Sequence, residues 1–281
     1  MQQRRFIQCD VFTDQPTRGN GLAVVVDGAG LTDTQMQDFA AWTNLAETTF
    51  LLPPTVPEAD YRVRIFTPAR EMPFAGHPTL GSCAAWLHSG GVPARPGIVR
   101  QECAVGMVDI DLGGDVPSFV APPTRITPME DTQFRAIIER LEIAPDRVVA
   151  TTQLENGPVW QVLELAAVAD VTAVEAMRVR WPEFKAIGLI GAHPPGSETD
   201  YEVRMLAPSS GMSEDPITGS LNAAIARWFH SLGRLDRPLL VSQGGCIGRV
   251  GRVHIRADAA DAGRILIGGQ TLLLIEGTVT L

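Results

Sequence analysis

The chain has 281 residues, 45% of them hydrophobic, and its 23 basic and 32 acidic side chains give a formal charge of −9. No stripe of Arg follows phosphates and no apolar run reaches the roughly 18 residues of a membrane span, so nucleic-acid and membrane roles are excluded. The 21 Pro and 27 Gly are scattered as turns, which leaves a globular chain with material for two cores.

The start, Met1 to Cys9, runs into an alternating strand pattern without a signal-peptide core, so a cytoplasmic protein is expected. Phe6 to Phe12 and Leu22 to Val26 read as strands. Thr32 with Gln35 at N3 forms a capping box for a helix whose inner face is Met36, Phe39, Ala40 and Thr43. Glu47 then opens the strand-like run to Leu52, which Pro53-Pro54 stops. Placed among Trp42, Leu45, Phe50 and Leu51, Glu47 is expected to be partly desolvated, and burial raises a carboxyl toward the range useful to a general base.

Tyr61 to Phe66 reads as a strand, followed by a loop to His77 and a helix from Thr79 to Leu87 that is apolar all round, hence buried, with Gly90 as its stop. Prolines in Ala121 to Thr127 mark a linker. Thr127-Pro128-Met129-Glu130 reads as a capping box with Pro at N1, starting a helix with Phe134, Ile137, Ile138 and Leu141 inward. A second apolar helix, Leu221 to Leu232, buries Leu221, Ala224, Ile225, Trp228 and Leu232 and ends at Gly233.

These elements occur twice. Asp60-Tyr61-Arg62-Val63-Arg64-Ile65-Phe66-Thr67-Pro68 returns 140 positions later as Asp200 to Pro208 with five of nine residues identical. At a spacing of 138, His77-Pro78-Thr79-Leu80-Gly81-Ser82 answers Asp215-Pro216-Ile217-Thr218-Gly219-Ser220, and Asn20-Gly21 and Gln101 resemble Asn156-Gly157 and Gln243. The period is too long for a solenoid. It predicts an α+β fold of two pseudo-symmetric domains facing a cleft, each a curved, mainly antiparallel sheet or barrel around a central apolar helix. The domains are expected at 1–122 and 123–281, with the last strand crossing back to the first.

The chemistry must come from side chains. The four cysteines form no CxxC pair, the five histidines never fall at HExxH spacing, and GxSxG, GxGxxG and P-loop patterns are absent, so neither metal nor cofactor is expected. Lys185 is the sole lysine, and nothing around it supports a Schiff base. Cys83, inside an apolar helix, reads as core. In both repeats a titratable residue precedes a proline and Gly-Ser opens a helix, an end that attracts a carboxylate through free N–H groups and the helix dipole. His77 on one side and Asp215 on the other suit a site that donates from one copy and accepts at the other. Glu47 aligns with about Lys185, so the carboxylate is expected in one half only.

Asp10-Val11-Phe12-Thr13 through Gly19-Asn20, Asn44 to Thr48, Phe66-Thr67-Pro68 through Ala75-Gly76-His77-Pro78-Thr79, and Ser213 to Ser220 together resemble the PhzF-like phenazine biosynthesis family, across nearly the whole chain. The resemblance implies the diaminopimelate epimerase-like fold, a homodimer, and cofactor-independent isomerisation of trans-2,3-dihydro-3-hydroxyanthranilic acid or a similar small carboxylate-bearing substrate. It assigns Glu47 the proton transfer, and His77 and Asp215 the other polar site positions. Gly76, Gly219 and Ser220 match ligand contacts, and Asn20 of the first motif joins them as a substrate-binding residue. Ala46 and Gly21 depart from the family's Ser and Pro. Two other readings are an amino-acid epimerase or racemase without catalytic thiols, which requires stereoinversion, and a non-catalytic small-ligand binding protein.

Overall fold

In the computed structural model, which describes residues 1–178, 186–206, 213–261 and 263–281, the chain divides into two units, Met1–Val120 with Gly268–Leu281, and Ala121–Ile267. The first holds β1 (Gln3–Val11), β2 (Asn20–Val25), α1 (Asp33–Thr43), β3 (Glu47–Leu52), β4 (Tyr61–Phe66), β5 (Glu71–Met72), α2 (Gly76–His88), β6 (Ile98–Cys103), β7 (Gly106–Asp111) and β8 (Ser118–Val120). The second holds β9 (Arg125–Thr127), α3 (Asp131–Leu141), β10 (Val148–Glu155), β11 (Val159–Leu165), α4 (Val168–Ala173), β12 (Ala186–Ala192), β13 (Tyr201–Leu206), β14 (Glu214–Asp215), α5 (Gly219–Ser231), β15 (Leu239–Gln243), β16 (Gly251–Ala257) and β17 (Ile265–Gly268). The last strand, β18 (Thr271–Thr280), pairs with β1 in the first unit.

The two units repeat one pairing scheme. In the first, β1 runs antiparallel to β2, β2 parallel to β3, β3 antiparallel to β4, and β4 antiparallel to β5 but parallel to β6. In the second, β10, β11, β12, β13, β14 and β15 follow the same sequence of orientations. Parallel neighbours cannot be joined by a hairpin, so the chain must cross over between them. Helices α1 and α4 make the first crossover of each unit, and α2 and α5 the second. Helices α2 and α5 therefore both follow the first strand of a parallel pair, β4 with β6 and β13 with β15.

Helix α2 packs against β1, β2, β3, β6, β8 and β18, and nine of its 13 residues are buried. That is what its uniformly small and apolar sequence requires. Its approach to the sheet is close at Gly81, where a Cβ would meet Leu22 Cδ2 at 2.5 Å and Val11 Cγ2 at 3.0 Å. Helix α5 is the equivalent in the second unit and packs on β10 and β16. A separate core lies between α3, α4 and the sheet, built on Ile137, Ile138, Leu141, Leu163, Val171 and Leu189.

The Thr32 capping box forms as expected, with the Gln35 N–H donating to Thr32 Oγ1 at 3.2 Å. The Thr127 box does not form. Thr127 is held in β9 opposite Gln153, so strand pairing claims it and α3 starts later, with Glu130 as its N-cap. Two apolar residues stand in the open, one expected on the buried face of its helix and one expected to help cover Glu47. Leu232 is the exposed C-cap of α5, and Trp42 is 80% exposed, stacked on Phe39. No described helix is long and apolar enough to cross a membrane.

Candidate active site

Three of the residues singled out by sequence meet in the first unit. The β1–β2 hairpin carries Asn20 at the first position of β2, Glu47 opens β3, and His77 is the second residue of α2. The Asn20 Nδ2 donates to His77 Nδ1 at 3.3 Å, and His77 Nε2 stands 3.3 Å from Glu47 Oε2. Gly19 sets the approach of Asn20: a Cβ there would lie 2.4 Å from the Val11 carbonyl oxygen, and its N–H donates to the buried Asp10 Oδ2 at 3.1 Å.

The direction of these contacts fixes the protonation of the ring. An amide nitrogen can only donate, so Nδ1 must be the acceptor and the neutral imidazole carries its proton on Nε2, the ring nitrogen nearer Glu47, though Nε2 and Oε2 are not aligned as a hydrogen bond. Burial acts in the same sense, pushing His77 down to about 3. The nearby Glu47 carboxylate favours the imidazolium, but it can do so only at the expense of the Asn20 bond or by water replacing what burial removes. The Glu47 side chain is itself 17% exposed. Its seclusion comes without Trp42, which lies open to solvent.

Asp215, Gly219 and Ser220 lie in the second unit. Asp215 ends β14 and is buried, and its Oδ2 accepts a hydrogen bond from the Thr218 hydroxyl. Gly219 and Ser220 open α5, as Gly76 and His77 open α2. Neither helix has a side chain capping its N-terminus, so first-turn N–H groups are left for another acceptor. Lys185, the expected counterpart of Glu47, lies outside the described residues, as do Ala207 and Pro208 of the repeat.

The structure corrects the register of the two site loops. Both helices have 13 residues, starting at Gly76 and Gly219, so the residue matching His77 is Ser220. Asp215 pairs with Met205 as Met72 pairs with Ile65, and stands where the first unit has Met72. The matched asparagines agree: Asn20 reaches the second residue of α2, and Asn156 Nδ2 donates to the carbonyl of Ser220, the second residue of α5, at 2.8 Å. His-Pro and Asp-Pro look alike in sequence, but they sit at different distances from their helices.

Sequence reasoning passed over the polar groups behind Asp215. Gln243 and Asn222, both buried, bond to each other and to Thr218. The recurrence of a glutamine on the same strand of each copy, Gln101 and Gln243, was the available signal, although the strand registers set the two apart by two residues. Among the described residues no cluster of His, Cys, Asp and Glu is arranged to hold a metal ion. Cys9, Cys83 and Cys103 are buried thiols, and burial pushes Cys83 up to about 12.

Comparison with known proteins identifies the family and the fold. The family described as phenazine biosynthesis-like protein matches residues 9–277. Antisense-enhancing sequence 1 of Schizosaccharomyces pombe and an uncharacterized isomerase of Mesorhizobium japonicum are each 32% identical over 99% of both chains. The trans-2,3-dihydro-3-hydroxyanthranilate isomerase of Pseudomonas chlororaphis is 29% identical, covering 98% of this chain and 99% of its own. A Bacillus anthracis phenazine biosynthesis protein of the PhzF family shares the fold, with a TM-score of 0.85, 21% identity and full coverage of both chains. With residues 9–277 matched by the family and relatives matched over nearly the full length, this chain belongs to the phenazine biosynthesis-like family, among its isomerases.

Proposed function

We propose that the chain moves a proton between two carbons of a small carboxylate-bearing substrate, with Glu47 as general base and then general acid. The observation that carries this reading is the chain from Asn20 through His77 to Glu47. Glu47 removes a proton from carbon and returns it to another carbon of the same skeleton, so protons and electrons balance and nothing else is consumed. His77, neutral with its proton on Nε2, stands 3.3 Å from Glu47 Oε2 without yet bonding to it, near enough to donate once a bound substrate draws the two side chains into line.

In the first unit the N–H of Gly76 at the start of α2 is a proposed carboxylate-binding donor, and in the second unit the N–H groups of Gly219 and Ser220 at the start of α5 are the corresponding ones, since helix dipole and unpaired amides favour an anion. Asn20 then acts through His77, and Asp215 is the proposed polar site residue of the second unit. A homodimer, taken from the family resemblance, completes the proposal. Light scattering checks it.

The test is deuterium uptake from D₂O, read by mass spectrometry, across small amino and hydroxy acids headed by trans-2,3-dihydro-3-hydroxyanthranilate, the compound in the name of the Pseudomonas chlororaphis relative. Label should enter one acid, and Glu47→Gln should slow its uptake by about 10²–10⁴-fold, the usual contribution of a positioned acid or base. Wild-type turnover in that variant would remove Glu47 from the chemistry.

A further inference from the structure

Gln243 is held by fixed groups on all four of its hydrogen-bonding positions. Its Oε1 accepts from the Thr218 backbone N–H at 3.1 Å and from Asn222 Nδ2 at 2.9 Å. Its Nε2 donates to the Asp215 carbonyl at 3.3 Å and to Thr218 Oγ1 at 3.0 Å. Two of these partners are backbone groups whose roles cannot change: the Thr218 N–H only donates and the Asp215 carbonyl only accepts. Turning the amide over would set donor against donor and acceptor against acceptor, so its orientation is determined.

The consequence falls on Thr218. Its hydroxyl oxygen already accepts from Gln243, and its single proton goes to Asp215 Oδ2. The carboxylate therefore receives a hydrogen bond whose direction cannot be reversed, which favours the ionised form and a single rotamer. The first unit also has a glutamine on the corresponding strand, but two residues earlier, since Gln101 lies opposite Tyr61 and Val241 opposite Tyr201, and its bonds end elsewhere. Gln101 accepts from the Tyr61 hydroxyl at 2.9 Å and donates to Thr79 Oγ1 at 3.1 Å, but the Thr79 hydroxyl is spent on the Ala75 backbone carbonyl at 2.9 Å.

We propose that Thr218 and Gln243 are positioning residues that orient the Asp215 carboxylate and keep it a proton acceptor. The proposal rests on the reading above that Asp215 takes part in the chemistry, and the experiment keeps the two apart.

The experiment combines turnover, on whichever acid of the panel takes up deuterium, with the carbon-13 resonance of the Asp215 carboxyl, identified by its loss in Asp215→Asn. Thr218→Val, close in shape but without the hydroxyl, should shift that resonance and lower kcat about tenfold with KM within about twofold, the scale of one hydrogen bond to a charged group. Thr218→Ser should restore both. Gln243→Met should act like Thr218→Val, while Thr79→Val should leave the resonance in place and kcat within about twofold. An unmoved resonance in Thr218→Val, or full turnover there while Asp215→Asn is inactive, overturns the brace. Full turnover in Asp215→Asn instead overturns the role of Asp215, and the resonance alone then decides whether Thr218 orients the carboxylate.

Discussion

The first unit spends its conspicuous polar residues in the open and hides its titratable site, whereas the second buries both. Arg64 and Glu71 form a forked pair between β4 and β5, with 17% and 39% of their side chains exposed. Arg204 and Glu214 form the same fork between β13 and β14 with 3% and 1% exposed. Arg204 also donates from Nη1 to the carbonyls of Val171 and Val174, tying down the end of α4. The duplication kept the clamp that sets the strand before each buried helix and changed what covers it. What the clamp holds also differs, since Asp215 comes directly after Glu214, while Met72 comes directly after Glu71.

The largest expected effect separates these two clamps. Glu214→Gln leaves the Arg204 guanidinium buried beside a neutral partner, and breaking one side of such a pair costs about 3–5 kcal/mol. Glu71→Gln leaves Arg64 with solvent and with Asp33 at 2.6 Å, so its cost should be roughly 0–1 kcal/mol. Urea denaturation of the two variants reads the difference directly. Equal losses would show that burial does not distinguish the copies.

The second contrast lies in the second residue of each helix, His77 in α2 and Ser220 in α5. Because burial lowers His77 to about 3 from the ordinary 6.5, the unfolded chain binds a proton between these values that the folded chain refuses. The stability due to the neutral ring is thus whole above about pH 6.5 and is lost as the pH falls toward 3, at up to about 1.4 kcal/mol per pH unit. His77→Gln should remove that component, so wild type should lose stability more steeply than the variant from pH 6 to pH 4. Parallel slopes would mean that the imidazole is charged in the folded protein.

Much of this contrast was legible in the sequence, because β4 and β13 share five of nine residues with their flanks and because Asn-Gly and Gln recur in both copies. Capping chemistry gave the start of α1, where Thr32 and Gln35 are close in sequence and nothing else competes for them. The site loops were misaligned for a physical reason. From Phe66 to Gly76 and from Leu206 to Gly219 the two connections differ in length, and a proline dipeptide marks a turn without saying how far off the helix begins. Thr127 shows the same limit, a sound local cap overruled by strand pairing with Gln153. Trp42 shows another, since an aromatic side chain beside a candidate base does not reveal on which side of its helix it faces.

The smallest effect compares the two asparagines that reach the second residue of each helix. Asn156→Ala removes the bond to the Ser220 carbonyl and leaves the buried Trp160 indole N–H, now 2.9 Å from Asn156 Oδ1, without its acceptor, at about 1–3 kcal/mol. Asn20→Ala should cost a similar amount or less, because a neutral imidazole nitrogen tolerates losing one donor. Its particular consequence is chemical. With no amide donating to Nδ1, the proton can sit on either ring nitrogen, and the tautomer with its proton on Nε2, the nitrogen nearer Glu47, is no longer enforced. Nitrogen-15 spectra should show His77 with a protonated Nε2 and a bare Nδ1 in wild type and in Asn156→Ala, and an averaged pair in Asn20→Ala. If the ring looks alike in all three, Asn20 is only packing, and the direction of proton donation toward Glu47 must be set by some other group.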